Sequence, residues 1–397
     1  MDNPILGQVV LGYSPMIARE RAVIATRLTV FPARTDASLD AAALLAAVSE
    51  VWPEAGGKVS LNVVSETLMQ DLLRAQPNTN LMLEVPAFMA ADPALSAAIQ
   101  ALYSRGNTLM LKGRPRTELP RDVLPCFKHS LIDLSDERRS DEVAPPGVTR
   151  QITHVQAGVR TMADLEASFK RGAVAVLGWP IDDMAATGGD ARQADLATIV
   201  ELMRRIDREE SIDRLEDTLK LDPTLAFKLL RHINSAAFGL RVEVASFRHA
   251  LMLLGYTRLK RWLALLLASA SKDRDMKPVM FAALRRGLLM EELARASAGG
   301  NDEQMRNEAF ICGVFSLLDR MMKQPFSDLL KLVPVPDSVR QVLVDGVGPY
   351  QPLLEVVLAV ENESLFDVRD SAERLLMSVG EINRAVLRAL AQAMQIQ

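Results

Sequence analysis

The alternation of short β-rich runs with helical stretches over the first half of the chain is the feature that most constrains its fold. Strands that alternate with helices form a parallel sheet, which is either open or closed into a barrel. The β-rich runs are 58–64, 81–85, 108–112, 130–134, 151–155 and 173–178. One helix is expected over 161–172, because Thr161 can cap its start and Gly172 can end it. The N-terminal half is therefore predicted to be an α/β domain.

In the second half of the chain, apolar residues recur at helical spacing. The first such stretch has them at Leu196, Ile199, Val200, Met203 and Ile206. Further on, Asp222 can cap a helix that Pro223 begins, and Gly255 can end the apolar stretch 246–255. No convincing strand is found after residue 195, so this half is predicted to be all-helical.

A small, polar and glycine-containing stretch at 182–195 separates the two halves and is predicted to be a linker. The domain limits that follow are 1–181 for the α/β domain and 196–397 for the helical domain, which suits a chain of 397 residues. No apolar run reaches transmembrane length, and the N-terminus lacks the features of a secretory signal. A cytoplasmic protein is expected.

The composition excludes several classes of protein. The 46 basic and 50 acidic residues give a net charge of −4, whereas a dedicated nucleic-acid binder usually has a basic excess. Cys126 and Cys312 lie far apart in the sequence, which argues against a disulfide framework and against a thiolate metal site. We expect neither nucleic acid as a partner nor a cofactor.

Residues 151–181 consist of a strand, a helix and a second strand, and they resemble the end of an EAL domain, the cyclic di-GMP phosphodiesterase fold. Residues 14–31 resemble its opening, where a hairpin leads to the Glu-Ala-Leu signature. The resemblance covers roughly 1–181 and implies a TIM-like barrel. Because this segment is shorter than a full EAL domain, both a complete and an incomplete barrel are considered.

The EAL resemblance also implies a site for two divalent cations at the C-terminal ends of the strands. Hard cations require clustered oxygen ligands, mostly carboxylates. Remnants of the ligand set are Asn62, Glu84 and Asp133. The substituted positions are Arg27, Lys112, Leu131, Ala157 and Leu177. So few oxygen ligands cannot hold two metals, and we therefore expect no metal and no catalytic residue in the barrel.

Two alternatives remain open for the barrel. Arg27, Lys112, Arg114 and Arg160 could face the phosphates of a nucleotide, which would make the barrel a cyclic di-GMP sensor without hydrolysis. A residual phosphodiesterase with an unusual metal site is the other alternative, and the loss of carboxylates argues against it. The simplest interpretation of the four cations is that they are solvated at strand ends, so cyclic di-GMP is not expected as a ligand.

Residues 219–239 and 246–263 resemble the signature of the HDOD domain, and the resemblance covers 190–397. The matching structural positions are Asp222, Pro223, Asn234, Ser235 and Gly255. In the related HD hydrolases a His-Asp pair binds metal. This chain has Ser316 and Leu317 at that place, so no metal is expected here either.

We therefore predict a non-enzymatic signal-transduction protein that acts by protein–protein interaction in or near cyclic di-GMP signalling. The partners would be other signalling proteins, and a homodimer is left open. We expect the main partner-binding surface on residues 196–397. Its apolar stretches 263–270 and 279–294 are either buried or used as interfaces.

Overall fold

The computed structural model describes residues 3–34, 37–139, 152–184, 194–220, 252, 255–261, 263–264, 274–297, 302–322, 324–332 and 335–396. The chain divides into two compact units. The first, which we call the barrel unit, consists of residues 1–184 and 358–387; the second, the helical unit, consists of residues 185–357 and 388–397. This division differs from the predicted helical domain 196–397 in that residues 358–387 belong to the barrel unit.

The barrel unit contains a closed barrel of eight strands in sequence order. They are β1 (Val9–Ala18), β2 (Val23–Pro32), β3 (Val59–Val63), β4 (Leu81–Pro86), β5 (Thr108–Lys112), β6 (Phe127–Asp133), β7 (Thr153–Ala157) and β8 (Ala175–Leu177). Strand β1 is antiparallel to β2 and to β8, and all other neighbours are parallel. The fold class is confirmed, and the alternative of an incomplete barrel is wrong.

Helices follow the strands in the order that the alternation predicts. They are α1 (Ala41–Val51), α2 (Glu66–Arg74), α3 (Ala87–Ala90), α4 (Ser96–Ser104), α5 (Leu134–Arg139) and α6 (Met162–Lys170). Helix α6 begins as expected, since Thr161 Oγ1 accepts a hydrogen bond from the amide of Asp164 at 2.9 Å. After its end, Gly172 has a φ of +95°, a left-handed conformation that favours glycine.

An apolar layer fills the barrel interior, and every strand except β3 contributes to it. Its members are Met16, Ala25, Met82, Met110, Leu131, Val155, Ala157, Ala175 and Leu177. Alternate residues along a strand point into the barrel. Beyond the apolar layer, toward the C-terminal ends of β2, β3 and β4, the inward side chains are polar, and we call them the polar layer. We call the end of the barrel at which β2 to β8 have their C-termini the barrel mouth.

The helical unit has no strand among the residues that the structure describes. Its helices are α7 (Ala194–Asp207), α8 (Ile212–Lys220), α9 (Lys277–Ala296), α10 (Glu303–Phe315), α11 (Leu318–Met322), α12 (Phe326–Leu332) and α13 (Asp337–Arg340), with a π-helical turn at Gln341–Asp345. Most of α9 is buried, so the apolar stretch 279–294 is core. Helices α9 and α10 cross closely, because a Cβ at Gly313 would lie 2.5 Å from the carbonyl oxygen of Arg286.

Three further helices complete the chain: α14 (Gln351–Glu361), α15 (Leu365–Arg374) and α16 (Val379–Ile396). Residues 358–387, which we call the strap, lie in the barrel unit and run from the end of α14 into α16. Asn383 on α16 is fully buried. Its Nδ2 donates to the carbonyls of Leu6 and Val9 at 2.7 Å each, and its Oδ1 accepts from the amide of Leu11 at 3.0 Å. One side chain thus satisfies three backbone groups at the start of β1.

Of the predicted linker 182–195, residues 185–193 lie outside the described residues. The carboxylate of Asp183 accepts hydrogen bonds from the amides of Met162 and Ala163 at the start of α6. Helix α7 already begins at Ala194. Among the helices in the described ranges, none is long and apolar enough to cross a membrane.

Candidate functional site at the barrel mouth

An ion pair between Arg27 on β2 and Glu84 on β4 lies at the centre of the polar layer. Arg27 donates from Nε to Oε1 at 2.8 Å and from Nη2 to Oε2 at 2.7 Å, and Ser60 donates to Oε1 at 2.8 Å. Glu84 is fully buried, and the Arg27 side chain is 12% exposed. Burial disfavours the charged guanidinium, but Glu84 and Glu363 outweigh it, so the pKa of Arg27 is raised.

A second carboxylate reaches Arg27 from the strap. Glu363, between α14 and α15, accepts a hydrogen bond from Ser14 on β1 at 3.0 Å and one from Thr29 on β2 at 2.8 Å. Its Oε2 lies 3.6 Å from Nη1 of Arg27. The guanidinium is therefore shared by a fully buried carboxylate on one side and a partly exposed one on the other.

Lys112 at the end of β5 is tied to the neighbouring amide. Its Nζ donates to Oδ1 of Asn62 at 2.6 Å, and Nδ2 of Asn62 donates to Thr29 at 3.2 Å. Burial lowers the pKa of Lys112; Glu84 opposes this shift, and the positive charge of Arg27 adds to it. The lysine has therefore lost part of its preference for the charged state.

Of the other positions that the EAL resemblance singles out, Leu131, Asp133 and Ala157 line the cavity at the barrel mouth together with Arg27 and Lys112, whereas Leu177 does not. Leu131, Ala157 and Leu177 belong to the apolar layer. Asp133 is the last residue of β6, and its Oδ1 accepts from the amide and the hydroxyl of Ser135, at 2.9 and 2.6 Å. Asp133 therefore holds the chain at the start of α5.

These residues do not fit a divalent cation. Both oxygens of Glu84 already accept from Arg27 and Ser60, and Oδ1 of Asn62 accepts from Lys112. A cation here would lie beside two positive groups and would have to displace them from the remaining oxygen ligands. Among the described residues, no group of three or more His, Cys, Asp or Glu side chains could hold a metal ion.

A cavity of about 740 Å³ opens at the barrel mouth beside the ion pair. Arg27, Lys112, Arg114 and Arg116 contribute cationic groups to its lining, and Phe88 lies at an exposed position on its apolar side. Within the described parts of the chain, Arg114 and Arg116 have no ion-pair partner. Arg160, which the sequence groups with these cations, is absent from the lining.

Arg160 instead fastens two surface segments of the barrel unit. Its Nε donates to Asp182 at 2.7 Å and its Nη1 to Oδ1 of Asn362 in the strap at 3.0 Å. The alternative in which Arg160 faces the same ligand as Lys112 is therefore not supported by its position. A role in holding the strap replaces it.

Sequence reasoning missed Ser14, Thr29, Ser60 and Glu363. The period of two along β2 could have identified Thr29, because positions 25, 27 and 29 share the inward face. Nothing in the sequence near Glu363 indicates that it contacts a strand more than three hundred positions earlier.

In the helical unit, Ser316 and Leu317 lie where a His-Asp pair would be needed. Nη1 of the buried Arg286 donates to Ser316 at 3.1 Å, and Ser316 donates to the carbonyl of Gly313 at 2.7 Å. Leu317 is fully buried. A guanidinium, a hydroxyl and an aliphatic side chain do not form a metal site.

The HDOD signature positions Asp222, Pro223, Asn234 and Ser235 lie outside the described residues. Gly255 is described, and it has a φ of +69°. This left-handed conformation is the one that favours glycine after a helix.

Comparison with known proteins assigns part of the helical unit to a domain family. The model of the HDOD domain matches residues 196–323, so an HDOD domain is present there. Uncharacterized protein YuxH of Bacillus subtilis (strain 168) is 24% identical over 323 residues, which are 78% of this chain and 77% of YuxH.

Two further similarities concern cyclic di-GMP proteins. Cyclic di-GMP phosphodiesterase CdgJ of Vibrio cholerae serotype O1 is 26% identical over 176 residues, which are 44% of this chain and only 40% of CdgJ. Among solved structures, the Bacillus subtilis YkuI protein, with an EAL domain and in complex with c-di-GMP and calcium, is 12% identical. That match covers 63% of this chain and 72% of YkuI, with a TM-score of 0.32.

Proposed function

We propose that the chain is a non-enzymatic signalling protein, in or near cyclic di-GMP signalling, whose barrel and helical units act as binding surfaces. The observation that carries the proposal is the two-point ion pair between Arg27 and Glu84 at the centre of the polar layer. The similarity to CdgJ, whose name states a cyclic di-GMP phosphodiesterase, supports the link to this signalling system.

The chemistry of phosphodiester hydrolysis explains why the ion pair matters. A metal-dependent phosphodiesterase needs cations to polarise the phosphate and to generate a hydroxide nucleophile. Here the buried carboxylate neutralises a guanidinium instead, and the nearest amide oxygen is held by Lys112. A guanidinium can bind a phosphate, but it cannot lower the pKa of a water as a bound divalent cation does.

The test is a hydrolysis assay on the full chain with cyclic di-GMP and magnesium, manganese or calcium. We expect no turnover above the reaction without protein. The proposal would be contradicted by turnover that is lost in Glu84→Gln and retained in Asp370→Asn, a substitution on the exposed surface. The pair of variants separates a reaction at the barrel mouth from a contaminating activity.

A second candidate function, nucleotide binding without hydrolysis, is favoured by one observation. Lys112, Arg114 and Arg116 line the cavity. The hydrogen-bond partner of Lys112 is the neutral amide of Asn62. Calorimetric titration with cyclic di-GMP at low and high salt tests it. Binding that weakens with salt and is lost in Arg114→Ala would support a sensor; absence of heat at both salt concentrations would exclude one.

The partner-binding surface is proposed to lie on the helical unit. Met252 there is 67% exposed, and Tyr103 in the barrel unit is 51% exposed, so both offer accessible positions for a photo-crosslinking residue. In the native cell, the full chain carrying the crosslinker at 252 should capture a partner that the chain carrying it at 103 does not. Capture only by the chain with the crosslinker at 103 would assign partner binding to the barrel unit.

A further inference from the structure

We propose that the strap, residues 358–387, is a built-in cover of the barrel mouth, which Glu363 holds closed and which an anion entering the adjoining cavity opens by competing for Arg27. The proposal concerns the barrel unit alone. It goes beyond the proposed function, and it holds or fails independently of whether cyclic di-GMP is hydrolysed.

One end of the strap is fixed. Asn383 is fully buried and makes three hydrogen bonds to the backbone of Leu6, Val9 and Leu11. Ile382 and Val386 beside it are also fully buried. Opening this end would leave several backbone groups without partners inside the protein, so it opens only with the barrel itself.

The other end of the strap is held by polar contacts that water can replace. Glu363 is partly exposed and binds the barrel through Ser14, Thr29 and the ion pair with Arg27. Asn362 is exposed and binds Arg160. Ala359, Val360, Val368 and Ala372 on either side of this turn are buried, so only the turn at 362–364, with its solvated hydrogen bonds, opens at a lower free energy than the core beneath it.

The backbone at this end is also strained and closely packed. Glu363 has a φ of +53°, which side chains other than glycine rarely adopt. A Cβ at Gly12 on β1 would lie 3.0 Å from Cα of Glu363 and 3.1 Å from the carbonyl oxygen of Val360. The strap therefore touches the backbone of β1 directly, at a position where the barrel has no side chain. This conformation of Glu363 ends α14, because the amides of Glu363 and Ser364 donate to the carbonyls of Val360 and Ala359.

Arg27 connects the strap to the cavity. It lines the cavity, and its Nη1 faces Glu363, while Nε and Nη2 are held by Glu84. An anion beside Lys112, Arg114 and Arg116 would approach the same Nη1 that attracts the Glu363 carboxylate. Because the two negative groups share one cation, binding of the anion weakens the closed state of the strap.

The experiment is hydrogen–deuterium exchange of the full chain, read at the amides of residues 362–364 and at those of residues 382–387. The first amides are protected by hydrogen bonds to the carbonyls of Leu358, Ala359 and Val360. The variants are Glu363→Gln, which removes the charge, and Gly12→Ala, which pushes the strap away sterically. Asp370→Asn is the matched control, because it removes the same charge at an exposed position of the strap, where Asp370 pairs with Arg374.

We expect both test variants to exchange about tenfold faster at 362–364 while 382–387 stays protected. The control should match the wild type. Inorganic pyrophosphate at millimolar concentration should accelerate exchange at 362–364 in the wild type and have no further effect in Glu363→Gln. Unchanged exchange in both test variants, parallel loss of protection at 382–387, or a wild type that ignores pyrophosphate would each overturn the proposal.

Discussion

Asn383, in the last helix of the chain, accepts a hydrogen bond from the amide of Leu11 in the first strand at 3.0 Å. The contact is buried and joins positions 372 residues apart. The barrel therefore depends on residues that follow 185–357, the larger segment of the helical unit, in the sequence.

Replacement of Asn383 by leucine should destabilise the barrel unit strongly. The side chain keeps its branching and its number of heavy atoms, but two carbonyls and one amide of the β1 region lose their partners, which costs about 2–5 kcal/mol. Urea unfolding with and without the substitution measures the difference. Asn362→Leu on the exposed part of the strap is the control, and an equal loss in both variants would refute the assigned role of Asn383.

Removing one member of the Arg27–Glu84 pair should cost more than removing both. Arg27→Met leaves the Glu84 carboxylate buried without its cation, which costs about 3–5 kcal/mol. In the double variant Arg27→Met, Glu84→Met neither charge of the pair is left, and the free energy of unfolding should return close to that of the wild type. Chemical denaturation of the wild type, Arg27→Met, Glu84→Met and the double variant distinguishes these outcomes; additive losses would show that the two side chains act separately.

The crossing of α9 and α10 should not tolerate a side chain at residue 313. A Cβ at Gly313 would meet the carbonyl oxygen and the carbonyl carbon of Arg286 at 2.5 and 2.6 Å, and backbone atoms cannot move aside without separating the helices. Gly313→Ala should lower the free energy of unfolding by about 1–3 kcal/mol. Gly7→Ala, where no atom lies within 4 Å, should leave the thermal midpoint unchanged.

Asp319→Asn should stabilise the helical unit at neutral pH. Burial raises the pKa of Asp319, the nearby Arg320 and Arg286 oppose the shift, and Oδ1 has no hydrogen-bond partner in the described part of the chain. A raised pKa means that folding favours the protonated acid, so ionisation removes stability as the pH rises through the folded pKa. The amide side chain of the Asp319→Asn variant cannot ionise, so the variant does not lose this stability.

The gain from Asp319→Asn should therefore be largest at neutral pH and should vanish as the pH falls below the ordinary carboxyl pKa of 3.8. Thermal midpoints of both proteins between pH 3.5 and about 7.5 measure this dependence. A gain that is independent of pH would mean that packing, and not ionisation, explains the effect.

Local patterns were sufficient to predict the strands from β3 to β8 and helix α6. Each of these elements has its own signal, such as the cap at Thr161 or the apolar run 173–178, and the order of the elements fixes the neighbours in a parallel barrel. Prediction of barrel closure depended on the hairpin of β1 and β2. The EAL resemblance implied this hairpin, whereas the local sequence pattern alone did not define it.

The partners within the site could not be predicted from the sequence. Arg27 was identified as a substituted position, but its pairing with Glu84 depends on the register of three neighbouring strands. The place of Glu363 depends on how the chain returns to the barrel after the helical unit. Contacts at such separation leave no periodic pattern in the sequence. The same holds for Asn383, which is one polar residue on an otherwise apolar helix face.

The discontinuity of the barrel unit has a consequence for protein synthesis. The eight strands leave the ribosome first, and residues 185–357 must be synthesised before the strap is available. At roughly 5–20 residues per second this interval lasts on the order of ten to thirty seconds. During that time the carbonyls of Leu6 and Val9 have no Asn383 to bind, and the mouth has no Glu363. The nascent barrel therefore exists for a time without the buried hydrogen bonds of Asn383 and without the Glu363 carboxylate beside Arg27.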